Sequence, residues 1–172
     1  MLEIDENKED LRVITEEDLK YLRRSVELAQ TALEKNDEPF GSVLVDQNGD
    51  VLFEDHNRAS SGDYTQHPEF AIARWAANNM TEKEKEQATV YTSGEHCPMC
   101  AAAHAWAGLG RIVYASSSEQ LVEWFKELGV KPSRVRNLPI QDIIRDTEVD
   151  GPVPELADEV YKLHQQFYKD KI

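Results

Sequence analysis

Strands and helices alternate between residues 67 and 129, and this alternation constrains the fold more than any other feature of the chain. HPEFAIARWAANNM at 67–80 reads as a helix. Pro68 suits its first position, where a missing N–H is no loss, and Phe70, Ala73, Ala76 and Ala77 supply a packed face. ATVYTS at 88–93 reads as a short buried strand. The alanine-rich stretch from Cys97 reads as a second helix, stopped by Gly108 and Gly110. RIVYAS at 111–116 is another strand, and SSEQLVEWFKELG at 117–129 a capped helix with Leu121, Phe125 and Leu128 apolar.

Upstream, TEED at 15–18 marks a helix start, with Thr15 as N-cap and acids in the first turn. Leu19, Leu22, Val26, Ala29 and Leu33 carry its stripe to about Lys35. Two β-rich runs then flank Asn48-Gly49 in FGSVLVDQNGDVLFEDHN, a strong hairpin signal. VKPSRVRNLPI at 130–140 is the place for a last short strand, and DGPVPE breaks the chain. The segment 154–170 forms a terminal helix with Leu156, Val160, Leu163 and Phe167 on one stripe. Residues 1–14 are acidic and weakly patterned, an arm at the front of a single domain over 1–172. A helix, a hairpin, then alternating strands and helices predict an α/β fold: a three-layer α/β/α sandwich on a mixed five-stranded central sheet.

A chain of 172 residues buries roughly 70% of its unfolded surface, so its core needs no disulfide staple. MLEIDENKED has neither the basic start nor the apolar segment of a signal peptide, and no apolar run approaches the roughly 18 residues of a membrane span. With two cysteines only, the expected compartment is the cytoplasm. Nineteen basic against 33 acidic residues give a net charge of −14. Nucleic-acid binding draws most of its affinity from basic side chains on phosphates, so this balance argues against a nucleic-acid partner. Solubility is the plainer reading of the same charge.

Both cysteines lie in GEHCPMCAAAHAWAG at 94–108. They form a redox pair, two metal ligands, or two buried small hydrophobes. A redox pair also follows a strand and opens a helix, but nothing upstream looks like a thioredoxin start. A helix start presents unpaired N–H groups, which favour thiolates and so favour metal. Two thiolates need a third protein ligand and, in a catalytic zinc site, an open fourth position. His67 is the candidate, because it opens the other well-marked helix and such helix starts face each other at one edge of an α/β sheet. Glu69 then points into the same cleft without binding the metal. Zinc lowers the pKa of a water, and a carboxylate beside it can carry a proton to a leaving amine: the equipment of hydrolytic deamination.

HPE at 67–69 followed by HCPMC at 96–100 resembles the signature of the zinc-dependent cytidine deaminase superfamily. PFGSVLV at 39–45, the hairpin, Asn57, YTSGEHCPMC at 91–100, Trp106 and RIVYA extend the resemblance over roughly residues 19–130. They point to the branch holding guanine deaminases, cytosine deaminases and tRNA adenosine deaminases. The resemblance implies a cytidine deaminase-like fold and a homodimer, with Zn2+ held by His67, Cys97 and Cys100. It makes Glu69 the proton shuttle. It implies that Asn57 hydrogen-bonds the base, that the Glu95 carbonyl receives the leaving amine, and that Phe40 and Trp106 line the pocket. The expected activity is deamination of a small base or nucleoside, such as a guanine-like purine or cytosine. A tRNA adenosine deaminase is the alternative with the same motifs, and a non-catalytic zinc-binding module the alternative without use for Glu69.

Two positions depart from the pattern. The usual Pro before the first cysteine is His96, either a plain loop residue or a contact to substrate or a neighbouring subunit. The residue between His and Glu, often Ala or Gly with an N–H for a base carbonyl, is Pro68, which has none. A base needing that bond would lose about 1–3 kcal/mol, so Pro68 belongs among the residues that read the base. His104 and Trp75 are expected in packing or an interface, His56 in a structural role, and His164 at the surface. Trp124 and Phe125 are expected in helix packing, with a pocket wall as the alternative for Trp124. Tyr161 and Tyr168 form a second stripe on the last helix, packed on their own chain or closing a neighbour's site.

Overall fold

The computed structural model describes residues 14–169 and 171, so the expected acidic arm falls outside the described residues except for its last member. The elements are α1 Glu16–Glu34, β1 Gly41–Val45, β2 Val51–His56, α2 Pro68–Asn79, α3 Glu82–Gln87, β3 Thr89–Gly94, α4 Pro98–Ala107, β4 Arg111–Ser116, α5 Ser118–Leu128, β5 Val149–Asp150 and α6 Pro154–Tyr168. The strands lie in the order β2-β1-β3-β4-β5. β1 is antiparallel to β2 and β3, whereas β4 is parallel to β3 and β5. The sheet is therefore mixed and five-stranded.

Alternation along the strands separates the two faces. Val43, Val45, Tyr91, Val113 and Ala115 pack with Tyr21, Leu22 and Val26 of α1 and Leu156, Val160 and Leu163 of α6. Leu44 and Val90 turn the other way, onto Ile72, Ala73 and Ala76 of α2. Ile112 and Tyr114 meet Ala101 of α4 on that side. Helices thus cover both faces, giving three layers.

Local chemistry explains the element ends. Thr15 Oγ1 accepts the Asp18 N–H at 3.1 Å while Asp18 Oδ2 accepts the Thr15 N–H at 2.9 Å, closing a capping box on α1. In the hairpin, Asp46 Oδ1 accepts the N–H groups of Asn48 and Asp50, and Gly49 takes the positive φ of 84° that the turn requires. At Gly41 a Cβ would lie 2.4 Å from the Ser25 carbonyl oxygen and 2.5 Å from Leu28 Cβ, so only glycine lets α1 cross β1 this closely.

Two sequence expectations are corrected. Residues 130–140 hold no strand; the fifth strand is the two-residue β5, paired with Ile112 and Val113. The 130–139 segment is mostly exposed, has prolines at 132 and 139 that cannot donate to a ladder, and serves as a connection. α3 was not expected, because EKEKEQ buries no residue and has no apolar period. Its signal is the Thr81–Glu84 capping box instead.

Candidate active site

The parallel strands β3 and β4 end together at Gly94 and Ser116, and the chain turns from β3 into α4 there. His67 is the N-cap of α2 and Cys97 the N-cap of α4, with Cys100 in the first turn of α4. α2 and α4 pack side by side on one face of the sheet, so their starts meet. His67 Nδ1 lies 3.5 Å from Cys97 Sγ and 3.5 Å from Cys100 Sγ. The three ligand atoms all fall within 4.8 Å of one another. Tetrahedral zinc with Zn–S of about 2.3 Å and Zn–N of about 2.0–2.1 Å puts S and N about 3.5 Å apart. The donor set therefore fits one zinc ion with a fourth position left open.

Charge favours the same occupant. A bond from Cys100, opposed by burial and aided by His67, pulls the Cys97 thiol down to about 4. The proton kept between the two sulfurs holds the Cys100 thiol up. Metal binding takes both sulfurs as thiolates, and a dication offsets the cost of deprotonating the second. Burial pushes His67 down, but the Cys97 contact and the Glu69 charge outweigh it, bringing His67 up to about 8.

Glu69, in the first turn of α2, is buried beside this set. Its Oε1 accepts from Ser42 Oγ at 2.8 Å and from Thr92 Oγ1 at 2.7 Å. Burial raises its pKa, partly offset by the His67 charge and these two hydroxyls. A carboxyl held high in this way can keep a proton between two transfers. Pro68 is buried at the first helical position between His67 and Glu69.

Asn57 is buried where β2 ends. Its N–H donates to the Phe40 carbonyl at 3.0 Å, and its Oδ1 accepts the Ala59 N–H at 2.9 Å. The side-chain NH2 group has no protein acceptor among the described residues. Phe40 packs over Gly94, 3.2 Å from where a Cβ there would stand, and meets His164 edge-on at 5.1 Å. Glu95 is half-buried; its carboxylate accepts the N–H groups of Ser118 at 2.9 Å and Ile140 at 2.7 Å, and so fixes the turn into α4.

Trp106 is not brought into this group. It is 91% exposed on the face of α4 opposite Cys100, Ala101 and His104, because six residues of helix rotate it well away from Cys100. His164 is likewise corrected: it is fully buried from α6 against Phe40, Trp124 and Phe125. His96 is 1% exposed with its ring 5.3 Å from that of His104, so it offers no surface to a substrate or second subunit. His104 is packed, with Nε2 against the Gly110 carbonyl at 2.7 Å. His56 contacts the Asn57 carbonyl and Lys35, a structural role. Trp75 packs on Phe53, and Trp124 stacks on Tyr161. Tyr168 packs on Phe125 of its own chain and feels the Glu38 carboxylate.

Sequence reasoning missed Ser42, Thr92 and Glu38, a half-buried residue whose carboxyl is pushed up by desolvation and feels the His67 charge. The available signal for the first two was a hydroxyl on an otherwise apolar strand face.

Residues 15–116 match the family described as the cytidine and deoxycytidylate deaminase zinc-binding region. The chain belongs to this family. It is a zinc-binding hydrolytic deaminase. It is 34% identical over 159 residues to a probable cytosine deaminase of Schizosaccharomyces pombe, covering 90% of this chain and 94% of that protein. The guanine deaminase of Bacillus subtilis is 29% identical over 131 residues, covering 72% and 83%. A tRNA-specific adenosine deaminase of Haemophilus influenzae is 33% identical over 107 residues, covering 62% of each. Among solved structures, the guanine deaminase of Nitrosomonas europaea superposes with a TM-score of 0.64 at 17% identity, covering 91% of this chain and 86% of that one, a likeness of fold. Among the described residues no helix is long and apolar enough to cross a membrane.

Proposed function

We propose that this deaminase acts on a small free nucleobase or nucleoside, a guanine-like purine, cytosine or a related amino-heterocycle, and releases ammonia. The observation that carries the reading is the buried Glu69 carboxylate beside the His67–Cys97–Cys100 set. A structural zinc site has no use for it. The relatives named as cytosine and guanine deaminases support the substrate class. A net charge of −14 weighs against a tRNA substrate.

In this reading His67, Cys97 and Cys100 hold zinc. Zinc, when bound, lowers the pKa of a water towards neutrality and so supplies a nucleophile. Glu69 takes a proton from the attacking water and delivers it to the departing amine. Asn57 donates its free NH2 to a polar edge of the base, Phe40 covers a face of the ring, and the Glu95 carbonyl accepts from the leaving amine. Pro68 offers no N–H, so the base is held without a main-chain donor at that position.

A homodimer belongs to the same reading. α4 is apolar nearly all round, yet the chain leaves Trp106 uncovered.

The test is ammonia release from guanine, cytosine, isocytosine, aminotriazines and their nucleosides by zinc-loaded protein. Turnover of at least one is expected. Full zinc with no turnover of any contradicts the reading. The tRNA alternative rests on the adenosine deaminase relatives. Salt-sensitive retardation of tRNA in a gel at low salt would favour it, and no shift removes it.

A further inference from the structure

On the sheet face covered by α2, β1 and β3 place their hydroxyl residues next to apolar ones. Leu44 and Val90 are buried on that face, and Ser42 and Thr92 are the next residues along it in β1 and β3. Both are fully buried, where a hydroxyl costs free energy unless it is paired. Ser42 and Thr92 are direct register partners across the β1–β3 ladder, with their hydroxyl oxygens 2.9 Å apart. From there both reach the same atom: Ser42 Oγ is 2.8 Å and Thr92 Oγ1 2.7 Å from Glu69 Oε1. Thr92 Oγ1 also lies 2.9 Å from the Gly94 carbonyl, at the strand end that leads to Cys97. No side chain among the described residues donates to Oε2.

We infer that Ser42 and Thr92 are positioning residues for Glu69, pinning Oε1 from two strands so that Oε2 alone moves the proton. The inference rests on the deaminase reading, with Glu69 as shuttle. An Oε2–H bond forms as an O–H bond of the attacking water breaks. The water oxygen bonds to the carbon bearing the amine; the Oε2–H bond then breaks as an N–H bond forms on the amine, and the C–N bond breaks as ammonia leaves, with the base released as its hydroxy tautomer. Neither hydroxyl proton leaves its own oxygen. Contacts from two strands hold this oxygen more firmly than a single hydroxyl would. Proton transfer depends steeply on such geometry, since a misplacement of about 1 Å can cost about 100-fold in rate.

The test compares S42A, T92V, S42A/T92V and T92S with the parent as zinc-loaded protein. It reads kcat and KM for the best base, zinc content and crystal structures. Each single loss of a hydroxyl is expected to lower kcat about 10-fold, and the double loss about 100-fold, by misplacing the shuttle. KM should stay within about twofold, because ground-state binding is untouched. Zinc content should not change, and T92S should recover most of what T92V loses. In the double variant the Glu69 carboxylate should leave its place between residues 42 and 92. Parent-like kcat in the single variants, a loss carried by KM or by zinc, or an unmoved carboxylate overturns the inference. If the parent itself deaminates nothing, the deaminase reading fails, and the carboxylate's position in the variants still decides the positioning claim.

Discussion

The two ends of the parallel strands treat buried charge in opposite ways. At the starting end, Arg111 donates to Asp18 at 2.8 and 3.2 Å and to Asp150 at 2.9 Å, and Tyr91 adds a bond to Asp18 at 2.7 Å. Burial pushes Asp18 up, but these bonds outweigh it and hold the carboxyl down at about 2. Every member has a partner, and the group ties α1, β3, β4 and β5 together. At the finishing end, Glu69 is held up rather than down, and the ligand atoms of His67, Cys97 and Cys100 gather within 4.8 Å of one another, a donor set suited to a cation. His164, behind Phe40, has neither ring nitrogen bonded. One end satisfies its charges and stabilises; the other leaves them short of partners that a metal and a substrate can supply.

The largest effect should come from breaking the unsatisfied end. Cys100→Ser should abolish zinc retention and reduce ammonia release to background, read by metal analysis and assay. Retained zinc would sever the cysteines from the metal. At the satisfied end, Arg111→Ala should destabilise by about 3–5 kcal/mol in denaturant melts, because it leaves Asp18 and Asp150 without their shared cation. Activity per folded molecule should hardly change.

Acid should then separate the ends in time. Burial holds His164 down to about 3, against an ordinary value of 6.5. The unfolded chain therefore takes the proton first, and stability falls as pH drops below about 6.5 towards 3. Asp18 contributes stability that is full above 3.8 and fades only as pH falls towards about 2. Melts of His164→Leu should thus lose slope between pH 6 and pH 4, in the range of about 3–6.5 set by linkage, while those of Asp18→Asn should not. The smallest effect is on selectivity. Pro68→Ala restores an N–H at the site and should reorder activity among bases by a few-fold or more, of the order of one hydrogen bond. An unchanged ranking counts against a role for Pro68 in reading the base.

Most of this was legible wherever a residue type has one strong physical use. Thr15 and Ser117 cap, Gly108 ends a helix in the left-handed region, and Asn48-Gly49 turns a hairpin. His67, Glu69, Cys97 and Cys100 were legible because two helix starts and their donors form a pattern that chance rarely makes. β5 was hidden, since two residues have no period. His164 was hidden because its aromatic surroundings come from α5 and from Phe40, far away in sequence. Trp106 was misplaced because a resemblance transfers a residue's position along the chain, whereas the face it occupies depends on helix rotation and on what covers it.

The most direct test is Glu69→Gln, assayed for bound zinc and for ammonia from the best base. Ammonia release should fall about 10²–10⁴-fold, the usual worth of a positioned proton carrier, with zinc content unchanged. A Glu69→Gln protein that keeps its zinc and its turnover would contradict the account.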